Sequence, residues 1–302
     1  MLLSNPLSYP MLPRLGLTLA GVFASSLVAL LVAKGSQWQA LQASVLFQRW
    51  RTWLLIAPLF SLVVLAGVLP VAIFAATLAL QGGREYARLA GLQRIDRSVL
   101  YGLAACVPLA AAVVPTHLIG PGLLLLLLVS TLPALLDQDL EHGVERSTRL
   151  AFGLWYVPAN LCLLVLLERD PAAGPGLLLA LGLSVALSDV GAFTLGRLLG
   201  RRPLAPRLSP SKTWAGVLGS IIGAALGLRA LAQFAPLAPL LALVPAVALG
   251  AIWGDLLESL LKRAAKTKDT GNWLPGFGGL LDRIDSLLIV LPLVYLVLEV
   301  AR

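Results

Sequence analysis

The chain has 302 residues, 58% of them hydrophobic and 13% charged, with mean hydropathy +0.88 and a formal net charge of +8. Soluble domains carry about 25% charged residues, so a soluble globular protein is excluded. The positive balance does not point to nucleic acid, because the bases sit in short loops between apolar runs, as they do in the cytoplasmic loops of membrane proteins.

In chain order, apolar runs long enough for roughly 30 Å of hydrocarbon predict spans near 12–33, 53–68, 69–83, 98–115, 118–136, 150–168, 175–199, 213–233, 236–260 and 284–301. The fold class is therefore all-α, a polytopic integral membrane protein of about 9–10 transmembrane helices. The first run is read as an uncleaved span rather than a signal peptide. The second and third are short and meet at Gly67-Val68-Leu69-Pro70, as a tight hairpin or as one broken segment. Residues 1–95 read as N-terminal helices with a basic loop, and 96–302 as the core membrane domain. Cys106 and Cys162 both lie in apolar runs, which argues against a disulfide framework or a zinc site.

Sidedness follows from the bases. Arg49/Arg51, Arg84 to Arg97, Arg146/Arg149, Arg197 to Lys212 and Lys262 to Lys268 all fall on one side when ten spans are threaded in order. The opposite loops hold only Arg169. That asymmetry places the basic loops, and the segment 259–285, in the cytoplasm. An integral protein of the cell (inner) membrane with a cytoplasmic site is expected.

Three segments carry chemistry. In the first, a helix over 236–263 aligns Asp255, Ser259, Lys262 and Lys266 on one face by steps of three and four. A glycine-rich turn at Pro275-Gly276-Phe277-Gly278-Gly279 follows, then a helix opening with Asp282-Arg283-Ile284-Asp285. Free N–H groups at such a helix start favour anions. An aspartate near the membrane centre costs about 2.5–3.5 kcal/mol on insertion scales. Asp255, Asp282 and Asp285 brought to one site would also repel one another unless a hard cation with oxygen ligands, most plausibly Mg²⁺, binds there.

The second segment, Ser188-Asp189-Val190-Gly191-Ala192-Phe193 with Gly196-Arg197, puts a carboxylate inside an apolar span beside a small-residue face at 188, 192, 196 and 200. The third, Ser209-Pro210-Ser211-Lys212-Thr213-Trp214-Ala215-Gly216, reads as a helix start whose hydroxyls and lysine suit an anion. Weaker candidates read as ordinary surface chemistry. Glu85-Tyr86 looks like an interfacial helix end, and Asp137, Asp139, Glu141, His142 and Glu145 look like a solvated acidic loop.

These residues carry a resemblance. Ser259, Lys262, Arg263, Lys268, Asp269, Gly271, Pro275, Gly278, Gly279, Asp282, Arg283 and Asp285 stand in the register of the C-terminal signature of phosphatidate cytidylyltransferases, the CDP-diacylglycerol synthases. Asp189, Ala192, Phe193, Gly196 and Arg197 resemble a second family segment, and Ser209, Pro210, Lys212, Thr213, Trp214 and Gly216 a third. Glu85-Tyr86 and Leu89 resemble a further, weaker one. The likeness is strongest over 185–290. Phe277 stands where the family usually has His, and Ala215 where it usually has Glu.

The resemblance implies CTP and phosphatidate as substrates, membrane lipids as surroundings, and Mg²⁺ as cofactor with K⁺ as a second cation. It assigns Asp189, Asp255, Asp282, Asp285 and Lys262 to catalysis, with Asp255, Asp282 and Asp285 on the metal. Ser209, Lys212, Thr213, Arg263, Lys268, Asp269, Gly278, Gly279 and Arg283 would bind substrate. A homodimer is compatible with this reading, and no nucleic-acid partner is expected. Two rivals stay open: another CTP-dependent lipid enzyme, such as an isoprenoid-alcohol kinase or a non-diacyl lipid cytidylyltransferase, and a transporter or inactive scaffold of the same fold.

Overall fold

The computed structural model describes residues 2–9, 12–34, 45–170, 174–232, 241–267, 269–271 and 278–301. The helices are α1 (Leu12–Lys34), α2 (Val45–Leu65), α3 (Val68–Leu89), α4 (Arg94–Ala110), α5 (Ile119–Leu136), α6 (Gly143–Leu154), α7 (Asn160–Arg169), α8 (Gly174–Leu199), α9 (Trp214–Ala230), α10 (Val244–Ala264) and α11 (Leu281–Val300). A five-residue π-helical turn, Trp155–Ala159, joins α6 to α7 around Pro158, whose ring removes a backbone donor. The protein is an all-α, polytopic integral membrane protein. Among the described residues, four helical segments combine the length and apolarity to cross a membrane: Thr116–Leu136, Gly143–Arg169, Gly174–Leu199 and Val244–Ala264. Trp50–Leu65 and Trp214–Ala230 are apolar but shorter.

The ambiguous pair near 53–83 is a helical hairpin. Its turn needs Gly67, at φ +102°, where a Cβ would press on Ser4 and the Leu2 carbonyl. Ser4 in turn donates through Oγ to the Leu65 carbonyl at 2.6 Å and through its amide to Ala66 at 2.9 Å.

Close helix contacts then assemble the polar region. On α8 and α9, a Cβ at Gly191, Gly219 or Gly223 would collide with backbone of the opposing helix, so small residues let the two backbones touch. Ser188 and Ser220 share a hydrogen bond at 2.6 Å across that seam. On α10, Gly254 abuts the backbone of Asp285 and Ser286. That contact brings Asp255 and Glu258 of α10 beside the first turns of α11.

Three local expectations change. Ser209 and Lys212 are not at a helix start. They lie on the second strand of an antiparallel hairpin, Pro203–Ala205 with Ser209–Thr213, because Pro203, Pro206 and Pro210 interrupt helical hydrogen bonding. Thr213 does cap the following helix, its Oγ1 accepting from the Gly216 amide at 3.1 Å. The helix carrying Asp255 ends at Ala264, so Lys266, at φ +53°, lies in the following turn and off the shared face.

The acidic loop is also less open than its composition suggests. Arg146 is buried and binds Asp96 at 3.1 Å, Asp137 at 2.9 Å and Asp139 at 3.0 Å. The His142 amide and Arg146 hold the Asp139 carboxyl below the usual carboxylate range. Glu141, His142 and Glu145 match the solvated reading, and Asp137 is exposed while paired with Arg146.

Candidate active site

The site is built where α8, the β-hairpin, α10 and α11 meet. Its outer part is accessible. Asp189 is exposed although it lies within an apolar helix, and its Oδ1 accepts from Ser286 Oγ at 3.3 Å. Lys212, on the hairpin, pairs with Asp255 of α10, both side chains being about one-third exposed or less (32% and 27%). Lys212 also faces Asp189, Asp285 and Glu258.

The inner part is enclosed. Asp282, in the first turn of α11, accepts Lys262 Nζ at 3.0 Å on Oδ1. Its Oδ2 accepts the Thr270 amide at 3.1 Å, the Thr270 hydroxyl at 2.8 Å and the Gly279 amide at 2.8 Å. Lys262 also pairs with Glu258 at 2.5 Å, one helical turn before it. Among the described residues, Glu258 Oε1 and the Tyr156 hydroxyl are buried without a hydrogen-bond partner. Tyr156, carried by the π-turn, faces Asp285, Glu258 and Asp282. Asp285 is 5% exposed and faces Lys212, Arg283 and Lys262.

Among the described residues, carboxylates outnumber bases here. Asp189, Asp255, Glu258, Asp282 and Asp285 are set against Lys212, Lys262 and Arg283. Charges packed this way in a low-dielectric setting call for further positive charge, such as a cation. The donor set, carboxylate oxygen throughout, suits a hard cation. Among the described residues no three carboxylate, histidine or cysteine groups cluster as a ready cage. Mg²⁺ commonly takes only one or two carboxylates and fills its shell with water and substrate phosphates, so the residues fit that cation.

The structure thus brings together Asp189, Lys212, Asp255, Lys262, Asp282 and Asp285 of the predicted set, with Thr213 at the adjoining cap. Ser209 is buried on the hairpin. Arg263 and Asp269 are exposed, as is Arg283 on the turn that carries Asp282. Lys268 lies outside the described residues, as does Phe277. The helix-start amides read as an anion site are taken by carboxylates of the chain itself. Gly279 donates to Asp282, while Leu280 and Leu281 donate to Glu85 at 2.9 and 2.7 Å.

Sequence reasoning left four participants out of the site, Glu85 among them although it carries a weak family resemblance. Glu258 was legible in principle, lying three residues after Asp255 and four before Lys262 on one helix face. Thr270 and Tyr156 gave no such signal, because their roles depend on contacts between distant segments. Glu85 is not an interfacial helix end: it is fully buried and holds the start of α11.

The model of the cytidylyltransferase family matches residues 47–301. The chain is 37% identical over 230 residues to the phosphatidate cytidylyltransferase of Pseudomonas aeruginosa, covering 73% of this chain and 84% of that protein. It is 41% identical over 162 residues to the phosphatidate cytidylyltransferase of Mycobacterium leprae, 51% of this chain and 50% of that one. With the Bacillus subtilis protein of the same name it shares 43% identity over 116 residues, 37% of this chain and 43% of that one. The protein belongs to the cytidylyltransferase family.

Proposed function

We propose that this protein is a phosphatidate cytidylyltransferase, converting CTP and phosphatidate to CDP-diacylglycerol and pyrophosphate. The observation that carries the reading is the meeting of two lysines, Lys212 and Lys262, with Asp189, Asp255, Asp282 and Asp285 where three helices and the β-hairpin converge. Family membership and the similarity to the Pseudomonas aeruginosa enzyme support the same reaction.

In the reaction, a phosphate oxygen of the lipid attacks the α-phosphorus of CTP. The new O–P bond forms as the bond to the β-phosphate oxygen breaks, and pyrophosphate departs with that electron pair. Positioning and electrostatics supply most of the catalysis in such transfers. Lys212, on the accessible side, is placed to receive an incoming phosphate, exchanging its pairing with Asp255 for one with substrate. Lys262, fixed between Glu258 and Asp282, presents positive charge to phosphate from the enclosed side. Arg263 and Arg283 extend the positive field, Lys268 is assigned to substrate by the family resemblance alone, and Ser209, Thr213, Asp269, Gly278 and Gly279 shape the substrate rim. Mg²⁺, held by carboxylates among Asp255, Asp282 and Asp285 with Asp189 nearby, would neutralise phosphate charge and orient both substrates. K⁺ is the second cation suggested by the family resemblance.

The membrane in question is the cell (inner) membrane, with the site on the cytoplasmic side where CTP is present. The basic loops, all on one side when the spans are threaded in order, favour that orientation.

The test is turnover by purified protein of CTP labelled in its base, with phosphatidate and a panel of other lipid phosphates and alcohols. Cytidine-bearing lipid from phosphatidate is expected. Labelled lipid only from a non-diacyl phosphate would reassign the substrate. Phosphorylated lipid without cytidine would indicate a kinase, and no product with any lipid would leave a scaffold or transporter. The substitutions Phe277 and Ala215 are the feature of this chain that makes those rival outcomes worth resolving.

A further inference from the structure

Glu85 lies on α3, 185 residues before Thr270, outside every segment that supplies a lysine or aspartate to the site. It has no exposure, and three of its four side-chain hydrogen bonds among the described residues lead to the site. Oε2 accepts the Thr270 hydroxyl at 3.1 Å and the Leu281 amide at 2.7 Å. Oε1 accepts the Leu280 amide at 2.9 Å and Gln81 Nε2 at 3.1 Å. A buried carboxylate is stable only when so satisfied, and here a helix start supplies the partial positive charge.

The contact sets geometry beyond itself. The Thr270 hydroxyl has one hydrogen and lies within bonding distance of both Glu85 Oε2 and Asp282 Oδ2. Asp282 continues to Lys262, and Lys262 to Glu258. Glu85 also explains Gly279, since a Cβ there would strike both Thr270 Oγ1 and Glu85 Oε2. The turn that delivers Asp282 and Asp285 is therefore packed directly onto this carboxylate.

We propose that Glu85 is a positioning residue: by fixing Thr270 and the first amides of α11 it sets where Asp282 and Asp285 stand. The kinetic half of this inference rests on cytidylyl transfer as the function.

The test compares parent protein with Glu85→Gln, which keeps side-chain length but points an NH₂ at amide donors. Two readouts are taken on detergent-purified, monodisperse protein: hydrogen exchange of amides 279–281, and steady-state kinetics with CTP and phosphatidate. Those amides are expected to lose protection. Turnover is expected to fall about 10- to 100-fold, the scale of losing a group that orients a ligand or catalytic residue. KM for CTP should stay within about twofold, since Glu85 does not touch substrate. Glu85→Asp, which keeps the charge, should recover part of kcat.

Unchanged protection would overturn the cap, and lost protection with kcat within about twofold of parent would leave Glu85 structural only. If Glu85→Gln does not fold, Thr270→Val reads the same link while sparing both backbone bonds. Lower kcat supports the role and unchanged kcat overturns it. A parent that makes no cytidine-bearing lipid defeats the function, and the positioning role with it, while the exchange comparison still judges the cap separately.

Discussion

Two charged clusters lie in this molecule, and they differ in what they leave unsatisfied. Around Arg146, the carboxylates Asp96, Asp137 and Asp139 converge on one guanidinium at 2.9–3.1 Å, closing the loop after α5 onto the start of α4. Around Lys262 and Lys212 the bases are outnumbered among the described residues. There too Glu258 Oε1 and the Tyr156 hydroxyl lack partners, and Asp189, Lys212 and Asp255 remain accessible. The first cluster is a finished structural joint. The second leaves polar groups open among the described residues, in keeping with the proposed binding site.

Opposite phenotypes would sharpen this contrast. Arg146→Met removes the single base from three carboxylates. Stability should fall by about 3 kcal/mol, the low end for breaking a buried pair, because the cluster lies near the surface. Thermal unfolding in detergent should show the drop, while kcat per folded molecule stays that of the parent. A large kcat loss in fully folded Arg146→Met would break the comparison. Glu258→Gln works the other way. It replaces the carboxyl that pairs with Lys262 by an amide, so kcat should fall about tenfold with little change in melting temperature. Lost stability with intact kcat would make Glu258 structural.

The smallest effect is expected for Asp139→Asn. The His142 amide and Arg146 hold the Asp139 carboxyl below its usual value of 3.8. A group lowered in this way stabilises the fold above the unfolded pKa and loses that contribution as pH falls through the folded one. The melting-temperature gap between parent and variant should therefore be present at neutral pH and close in acid. A gap that persists in acid would mean the loop is held by something other than this carboxylate.

Much of this was legible in the sequence, because bilayer thickness makes each span write its own length. The predicted runs at 12–33, 98–115, 118–136, 175–199 and 284–301 lie on α1, α4, α5, α8 and α11 with edges shifted by a few residues. Periodicity likewise placed Asp255 and Lys262 on one helix face. The hairpin at 203–213 was hidden because its strands are short and proline-rich, and because Thr213 signals a helix cap whichever structure precedes it. Glu85 was hidden for a different reason. An acid near Arg84 and Arg88 resembles any interfacial helix end, and only the folded chain shows α11 starting on its carboxylate. The helix-start amides of α11 illustrate the same limit: their preference for an anion was readable, but not that the chain supplies the anion.

The most direct measurement follows CTP labelled in its base with phosphatidate and Mg²⁺, comparing parent protein with Asp282→Asn. Asp282 gathers Lys262, Thr270 and Gly279 at the centre of the enclosed cluster. The parent should yield cytidine-bearing lipid and pyrophosphate, and the folded variant should lose about 10²- to 10³-fold or more of that turnover. Equal turnover by the two proteins, or a parent that transfers no cytidine to lipid, would contradict the placement of cytidylyl transfer at this cluster.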